Sequence, residues 1–212
     1  MPIRLNVDSI IVNLDRALRA VGGGSQGTGR CFPARDLQHD ELSDTERDCS
    51  ASLMRVNHAG EVAAQALYHG QSLTARNSRV RDELQHAAKQ EEDHLLWCRG
   101  RLRELNASPS LLDPLWYAGS FALGALAGLA GDRVNLGFLA ETERRVEAHL
   151  GEHLQRLPVD DQRSRVIVAQ MQVDEAQHAS NAEKGGAVPL PAAVKTLMGL
   201  AAKVMTRTSH WI

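Results

Sequence analysis

The chain has 212 residues, of which 43% are hydrophobic and only 4% aromatic, and its formal net charge at pH 7 is −2. This length is sufficient for one four-helix bundle of about 140 residues with extensions at both ends. A nearly neutral chain has no large basic field, so nucleic acid is not an expected partner. Ala, Leu, Glu, Gln and Arg dominate residues 53–105 and 133–184, and no alternating Val/Ile-rich run occurs. The composition therefore predicts an all-α protein.

The first 30 residues are predicted to lie outside the bundle. Residues 3–20 place Leu and Ile at near-helical spacing, which predicts a short amphipathic helix. The following glycine-rich stretch, residues 22–29, formally contains G-x-G-x-x-G. A dinucleotide-binding fingerprint needs a strand before it and a helix after it, whereas here a helix precedes the stretch and Pro33 follows it closely. We interpret the stretch as a flexible linker.

A repeated motif is the most informative feature of the chain. Each half carries a glutamate followed, 30 or 32 residues later, by Glu-x-x-His. The six residues of this repeat are Glu61, Glu91 and His94 in the first half and Glu143, Glu175 and His178 in the second. Residues three apart on a helix project from one face, so each motif presents a carboxylate and an imidazole to the same point. A third match, Glu83-x-x-His86, has no glutamate 30 to 32 residues before it, and we predict that it lies outside the site.

The midpoint of each interval falls on residues that interrupt a helix. Residue 76 lies in a polar Ala-Arg-Asn-Ser sequence, and residue 159 follows Pro158, which stops one helix before an Asp that can cap the next. Fifteen residues up and fifteen down are about 22 Å each, so the paired carboxylates return to equal height on antiparallel helices. We predict four bundle helices, with approximate bounds at residues 50 or 53 to 76, 78 to 105, 132 to 157 and 160 to 184.

Four carboxylates and two imidazoles between four helices are the ligand set of ferritin-like bundles that bind two iron or manganese ions. Carboxylate oxygens with one imidazole per metal suit Fe(II) or Mn(II) better than a structural zinc site, which prefers thiolates. Cys31, Cys49 and Cys98 form no C-x-x-C and fit a reducing cytoplasm. We therefore predict that residues 31–185 form a ferritin-like four-helix bundle with a carboxylate-bridged site for two iron ions per chain.

The connection between the second and third bundle helices, residues 106–131, has an unusual composition. Its residues 114–131 carry no charge, which approaches the length of a membrane span. A single crossing would place the two halves of the ligand set on opposite sides of the membrane, so the segment must stay on one side. It either packs on the bundle or dips into a bilayer surface, and we favour the second.

The C-terminal segment, residues 186–212, is predicted to associate with a membrane. Residues 191–212 form a basic amphipathic pattern that ends near Trp211 and is typical of an interfacial anchor. A fifth helix packed on the bundle is the alternative. Because the opening residues contain no apolar signal-peptide core, we expect a peripheral protein on the cytoplasmic side of the cell membrane.

Five stretches of the sequence are characteristic: RVNHAGE at 55–61, EEDHL at 91–95, LWYAGSF at 115–121, ETER at 141–144 and DEAQH at 174–178. In these stretches the chain resembles the bacterial demethoxyubiquinone hydroxylases, di-iron monooxygenases of ubiquinone biosynthesis. The resemblance implies that the six repeat residues hold the iron pair. It also implies O2 and a polyprenyl quinone as substrates, hydroxylation of the quinone ring, and other ubiquinone-biosynthesis proteins as candidate partners.

Several further residues are candidates for contacts around the metal. Asp174 precedes Glu175 and is placed to orient a ligand histidine through its second ring nitrogen. His58 and His149 lie within two helical turns of a repeat glutamate. Tyr68 and Tyr117 are weaker candidates.

A ferritin-like ferroxidase or iron-handling protein at the membrane surface is the main alternative function, because it would use the same ligand set. The uncharged connection and the amphipathic tail favour the hydroxylase, since a polyprenyl quinone resides in the bilayer.

Overall fold

A computed structural model describes residues 7–39 and 41–212 of the chain. Within those residues α-helix is the only regular secondary structure, as predicted. The seven helices described are α1 (Val7–Gly22), α2 (Asp44–Thr74), α3 (Ser78–Glu104), α4 (Asp113–Leu129), α5 (Asp132–Arg156), α6 (Gln162–Lys184) and α7 (Ala192–Ser209). Residues 3–6 of the predicted first helix lie outside the described residues.

Helices α2, α3, α5 and α6 form the bundle as two hairpins, α2 with α3 and α5 with α6. Their turns lie at residues 75–77 and 157–161, where the midpoints of the repeat predict them. The apolar core is divided into two clusters along the bundle axis. One cluster contains Leu53, Leu102, Leu150 and Ile167. The other contains Tyr68, Leu84, Leu136 and Ala182. The repeat residues lie between these clusters on every bundle helix, so the site is closed by packed side chains above and below.

Helix α2 is longer than the sequence predicts, because it begins at Asp44 and not near residue 50. Ser43 caps the helix: its hydroxyl accepts from the Glu46 N–H, and its own N–H donates to Glu46 Oε2 at 2.9 Å. This reciprocal arrangement is a capping box, and Ser-x-x-Glu is its sequence pattern. Helix α6 begins after Asp161, whose carboxylate accepts from Ser164 N–H at 2.8 Å, in agreement with the predicted Asp cap.

The uncharged connection forms α4, and one face of α4 lies directly on α2. A Cβ atom added at Gly124 would be 2.2 Å from the Leu67 carbonyl oxygen, and one added at Gly70 would be 2.1 Å from the Phe121 carbonyl oxygen. The two backbones are therefore in contact. The preference for lipid over packing on the bundle is wrong for this face. The opposite face keeps Leu126 exposed, at 62% of its surface.

The glycine-rich stretch is docked on α3, so its interpretation as a flexible linker is wrong. The Gln26 and Gly27 N–H groups each donate to Glu92 Oε2 at 3.1 Å. The Thr28 N–H donates to Asp93 Oδ1 at 2.7 Å. The chain thus passes from α1 to the bundle with fixed contacts.

Helix α7 packs beside α2 and is fastened at its C-terminal end. Arg55 donates to the His210 carbonyl oxygen at 3.1 Å, and the Trp116 indole donates to Ser209 Oγ at 3.0 Å. The alternative of a fifth packed helix therefore describes the inner face of α7, while Leu197 and Leu200 on its other face are exposed. Among the helices in the described ranges, none has both the length and the hydropathy needed to cross a membrane.

The contact between α2 and α4 gives a first prediction. Gly124→Ala is expected to destabilise the protein by about 1–3 kcal/mol, because the new methyl group must push the two backbones apart. Gly119→Ala is the matched control on the same helix, since a Cβ atom there meets nothing within 4 Å. That change should stabilise the protein by up to about 1 kcal/mol through helix propensity alone. Thermal unfolding measures both effects, and equal melting temperatures for the two variants would contradict the close packing.

Candidate metal centre

The structure brings all six repeat residues together in the middle of the bundle, and each of them is buried. They form two overlapping groups, in which donor atoms lie within 4.8 Å of one another. The members of the first group are Glu61, Glu91, His94 and Glu175, and those of the second are Glu91, Glu143, Glu175 and His178. Glu91 and Glu175 belong to both groups. This is the arrangement expected of two metal sites that share two bridging carboxylates.

The inner nitrogen of each histidine faces several carboxylates at once. His94 Nδ1 lies 2.9 Å from Glu91 Oε2, 3.1 Å from Glu175 Oε1 and 3.4 Å from Glu61 Oε2. His178 Nδ1 lies 3.0 Å from Glu91 Oε1 and 3.2 Å from Glu175 Oε2. A ring nitrogen carries at most one hydrogen and cannot donate to three carboxylates. A cation between the oxygens and the nitrogen satisfies all of them.

The outer nitrogen of each histidine is held by a residue of the opposite hairpin. His94 Nε2 is 2.9 Å from Asp174 Oδ2, and His178 Nε2 is 3.0 Å from Gln90 Oε1. Such contacts fix the ring so that Nδ1 points at the metal. Asp174 lies where it is predicted, against the second ring nitrogen of His94, whereas the matching role of Gln90 is not predicted. The repeat contains the signal, because each of these two residues directly precedes the glutamate of a Glu-x-x-His motif.

The oxygen and nitrogen atoms available as ligands in the centre fit a divalent metal ion. One buried oxygen of each carboxylate forms no well-aligned hydrogen bond within the described structure: Glu61 Oε2, Glu91 Oε1, Glu143 Oε2 and Glu175 Oε1. The oxygens of Glu61, Glu91 and Glu175 face only a histidine nitrogen that another carboxylate also faces. Leaving such acceptors unpaired is costly in a protein interior, and each carboxylate contributes one of them. Tyr68, which is also buried, donates its hydroxyl hydrogen to the other oxygen of Glu143.

Without metal, the centre balances its charge with protons. Burial raises the pKa of Glu61 and Glu143 well above the usual carboxyl range. Burial also acts to raise the pKa of Glu91, but the nearby imidazoles outweigh it and leave that pKa well below its usual value. Burial opposes the charging of His178, yet its hydrogen bonds to Glu175 and Glu91 raise its pKa to about 11. These shifts favour the protonated forms of Glu61, Glu143 and His178 in the absence of metal, so binding of a metal to these groups would release protons.

His58 and His149 are outside the six-residue cluster. His58 is fully buried with Nδ1 3.1 Å from Asp113 Oδ2, and its Nε2 accepts from Arg99 at 3.3 Å. It therefore ties α2 to α3 and to the start of α4. The centroid of the His149 ring lies 3.9 Å from that of His153, and His149 Nε2 is buried without a hydrogen bond.

Of the remaining candidates, Tyr68 contacts the centre, whereas Tyr117, Glu83 and His86 do not. Tyr68 joins the site through Glu143, whereas the Tyr117 hydroxyl is 2.8 Å from His69 Nδ1. Glu83 pairs with Arg79 at 3.2 Å, and His86 is exposed to solvent. The third Glu-x-x-His match is thus outside the buried cluster, as predicted.

A cavity of about 800 Å³ adjoins the centre. It lies between α2, α4, α5 and α7, and Glu61 forms part of its wall. Most of the lining is apolar and includes Leu67, Leu123, Phe138, Val146, Met198 and Met205. Its polar lining residues include Asn57, His149 and His153. The cavity offers an apolar organic molecule a place beside the buried carboxylates.

Fold and site together define a helical-bundle protein with a buried carboxylate–imidazole centre suited to a pair of metal ions. The family model described as ubiquinone biosynthesis protein COQ7 matches residues 48–209, and the chain belongs to this family. Proteins named 3-demethoxyubiquinol 3-hydroxylase are 55% identical to it in Nitrosomonas eutropha, Nitrosospira multiformis and Cupriavidus taiwanensis. These alignments cover 97–98% of this chain and 99–100% of the relatives.

The geometry predicts different effects for substitutions at Glu91 or Glu175, which belong to both groups, and for substitutions in the third motif, Glu83-x-x-His86. Glu91→Ala and Glu175→Ala should each abolish stable Fe(II) binding, because each removes a carboxylate shared by both metal sites. Glu83→Ala combined with His86→Ala should bind Fe(II) as the unaltered protein does. Metal analysis after anaerobic loading and gel filtration measures the difference. Equal iron loss from the two sets of variants would show that the proposed ligands are misassigned.

Proposed function

We propose that this protein hydroxylates the ring of a polyprenylated 3-demethoxyubiquinol with O2 in ubiquinone biosynthesis, using two iron ions per chain. The relatives named 3-demethoxyubiquinol 3-hydroxylase align over nearly their whole length with this chain. The observation that carries the proposal is the buried set of four carboxylates and two imidazoles, in which one oxygen of every carboxylate has no hydrogen-bond donor of its own.

In the proposed centre, Glu61 and His94 would hold one iron, Glu143 and His178 would hold the other, and Glu91 and Glu175, which belong to both groups, would contribute to both. When bound, the iron pair supplies the redox chemistry that activates O2. The protein contributes apolar clusters that cover the centre at both ends along the bundle axis. Tyr68 holds one oxygen of Glu143, so that the other oxygen remains available for metal.

The cavity supports a quinol substrate. Its volume of about 800 Å³ accommodates a substituted ring and the first part of a prenyl chain. Because Glu61 forms part of the wall, a ring in the cavity lies next to the proposed iron. The buried, unpartnered Nε2 of His149 supplies a polar group that suits a ring hydroxyl or carbonyl oxygen.

O2-dependent turnover separates the proposed function from a ferroxidase or iron-handling role. Protein loaded with iron and given a chemical reductant should consume O2 and convert a short-chain demethoxyubiquinol to its hydroxylated product. It should contain about two iron atoms per chain. Glu175→Ala should lower product formation by at least about 100-fold, because both metal sites lose a ligand. Product is measured by mass spectrometry with ¹⁸O2. Fe(II) oxidation without any hydroxylated product would refute the hydroxylase and favour the ferroxidase.

We further propose peripheral attachment to the cytoplasmic side of the cell membrane through α4 and α7. Both helices expose apolar side chains, among them Leu115, Leu123 and Leu126 on α4 and Leu197, Leu200 and Val204 on α7. Trp211, near the chain end, is 79% exposed. Lys203 and Arg207 are exposed beside these residues, whereas Lys195 already pairs with Glu141 at 2.9 Å. Lys203 and Arg207 are therefore the cations available to anionic lipid.

Leu126→Glu and Leu200→Glu should each weaken binding to vesicles of phosphatidylethanolamine and phosphatidylglycerol, because a buried apolar contact becomes a charged one. Val159→Glu is the matched control, since Val159 is 77% exposed but lies in the turn between α5 and α6. Co-flotation with vesicles measures binding. Turnover of a water-soluble short-chain quinol should stay near normal in all three variants. If Val159→Glu released the protein as strongly as the other two, the assigned membrane face would be wrong.

A further inference from the structure

Residues 26–30, which we name the N-terminal strap, lie on α3 beside the metal centre. The strap binds through the carboxylates of Glu92 and Asp93, which accept from the backbone N–H groups of residues 26–28. Glu92 and Asp93 stand between Glu91 and His94 in sequence, so one turn of α3 faces the metal on one side and the strap on the other. The strap precedes the residues that the family model matches.

Arg30, the last residue of the strap, reaches the residue that orients His94. Its guanidinium nitrogen lies 2.7 Å from Asp174 Oδ2. The same oxygen is 2.9 Å from His94 Nε2. The guanidinium carbon also lies 4.8 Å from the Trp97 ring centroid, and the Trp97 ring centroid is 5.3 Å from that of His94. Arg30 therefore contacts both Asp174 and Trp97, each of which lies against the His94 ring.

We propose that Arg30 is a positioning residue of the metal centre, which fixes Asp174 against His94 and makes the N-terminal strap part of the site. This inference rests on the proposed metal centre. Asp174 is partly exposed, and its two oxygens have different partners. Gln170 Nε2 donates to Oδ1 at 3.0 Å, whereas Oδ2, the oxygen that faces His94, is the one that Arg30 holds. Arg30 supplies a charge-assisted hydrogen bond from a guanidinium that the Trp97 ring also holds. The other ligand histidine, His178, is held by the neutral amide of Gln90 and has no corresponding cation in its described contacts.

Docking of the strap also requires glycine at position 27, and this requirement allows a second, independent test of the strap's role. Gly27 has φ +62°, and a Cβ atom there would be 2.3 Å from Asp93 Oδ1. Gly29 has φ +91°, but a Cβ atom there meets nothing within 4 Å. Both positions impose backbone strain on alanine, whereas only position 27 imposes a clash with α3. Comparing alanine substitutions at Gly27 and Gly29 therefore separates the effect of strap docking from the effect of backbone strain.

The first test is a Co(II) titration followed by visible absorption, which reports both affinity and ligand geometry. Arg30→Gln should weaken the binding of Co(II) by up to about 10-fold, the low end of the effect of losing a direct partner of a metal ligand, because Arg30 acts through Asp174. It should also alter the Co(II) spectrum. Arg30→Lys should recover part of the affinity, because it keeps the charge. Arg35→Gln, the control, removes the same charge from an exposed residue nearby and should match the unaltered protein.

The pathway through Asp174 is tested in a double-mutant cycle. Asp174→Asn should weaken Co(II) binding, and adding Arg30→Gln to it should change the affinity by less than about twofold, because the two residues act in series. Gly27→Ala should reproduce the Arg30→Gln effect, while Gly29→Ala should not. Thermal unfolding of the metal-free variants identifies any general loss of structure.

The outcomes distinguish this inference from the proposed function. If the unaltered protein binds no Co(II), the metal centre itself is refuted and the role of Arg30 falls with it. If the unaltered protein binds Co(II) and Arg30→Gln binds it equally well, only the role of Arg30 is refuted. Independent, additive effects of Arg30→Gln and Asp174→Asn would likewise overturn it.

Discussion

Four carboxylates and two imidazoles share one buried volume, and the repulsion among those carboxylates is the constraint on which the surrounding structure depends. Buried like charges must be compensated by protons, hydrogen bonds or a cation. The bundle meets this requirement locally: imidazole nitrogens lie between the carboxylates, and Tyr68 donates to Glu143. The apolar clusters then need only exclude water from the two ends of the site. A bundle that buried fewer carboxylates would need fewer of these polar partners, but it would have no shared place for two metals.

The sequence predicts the bundle and the convergence of its six central residues because both depend on short-range geometry. A helix has a fixed rise and a fixed angular repeat, so an interval of 30 or 32 residues with a central break determines which side chains face each other. The start of α2 was also readable, since the Ser43 and Glu46 pair forms a capping box. The role of Gln90 follows from comparing the two halves, as it occupies the position that Asp174 occupies in the other.

Contacts between segments far apart in sequence have no such periodic signal. Arg30 and Asp174 are separated by 144 residues, and nothing in the composition of residues 22–29 shows that the stretch docks on α3. Glycine there reads as flexibility, although at Gly27 it allows a close approach to Asp93. The uncharged residues of α4 pose the same difficulty, because hydropathy alone cannot tell an apolar face that meets a helix from one that does not. Tertiary packing decides both cases.

The backbone contact between α2 and α4 fixes the separation of the two helix axes. Helices that meet through small residues lie at the short end of the usual axial separation of about 8–10 Å. Glu61 is on α2, and Leu126 is exposed on the far face of α4, so α4 forms one layer of helix between α2 and that surface. Gly70 and Gly124 keep this layer thin. The close contact therefore holds α4 at a fixed separation from the helix that carries Glu61, and backbone contact sets this separation, not the length of the side chains between the two helices.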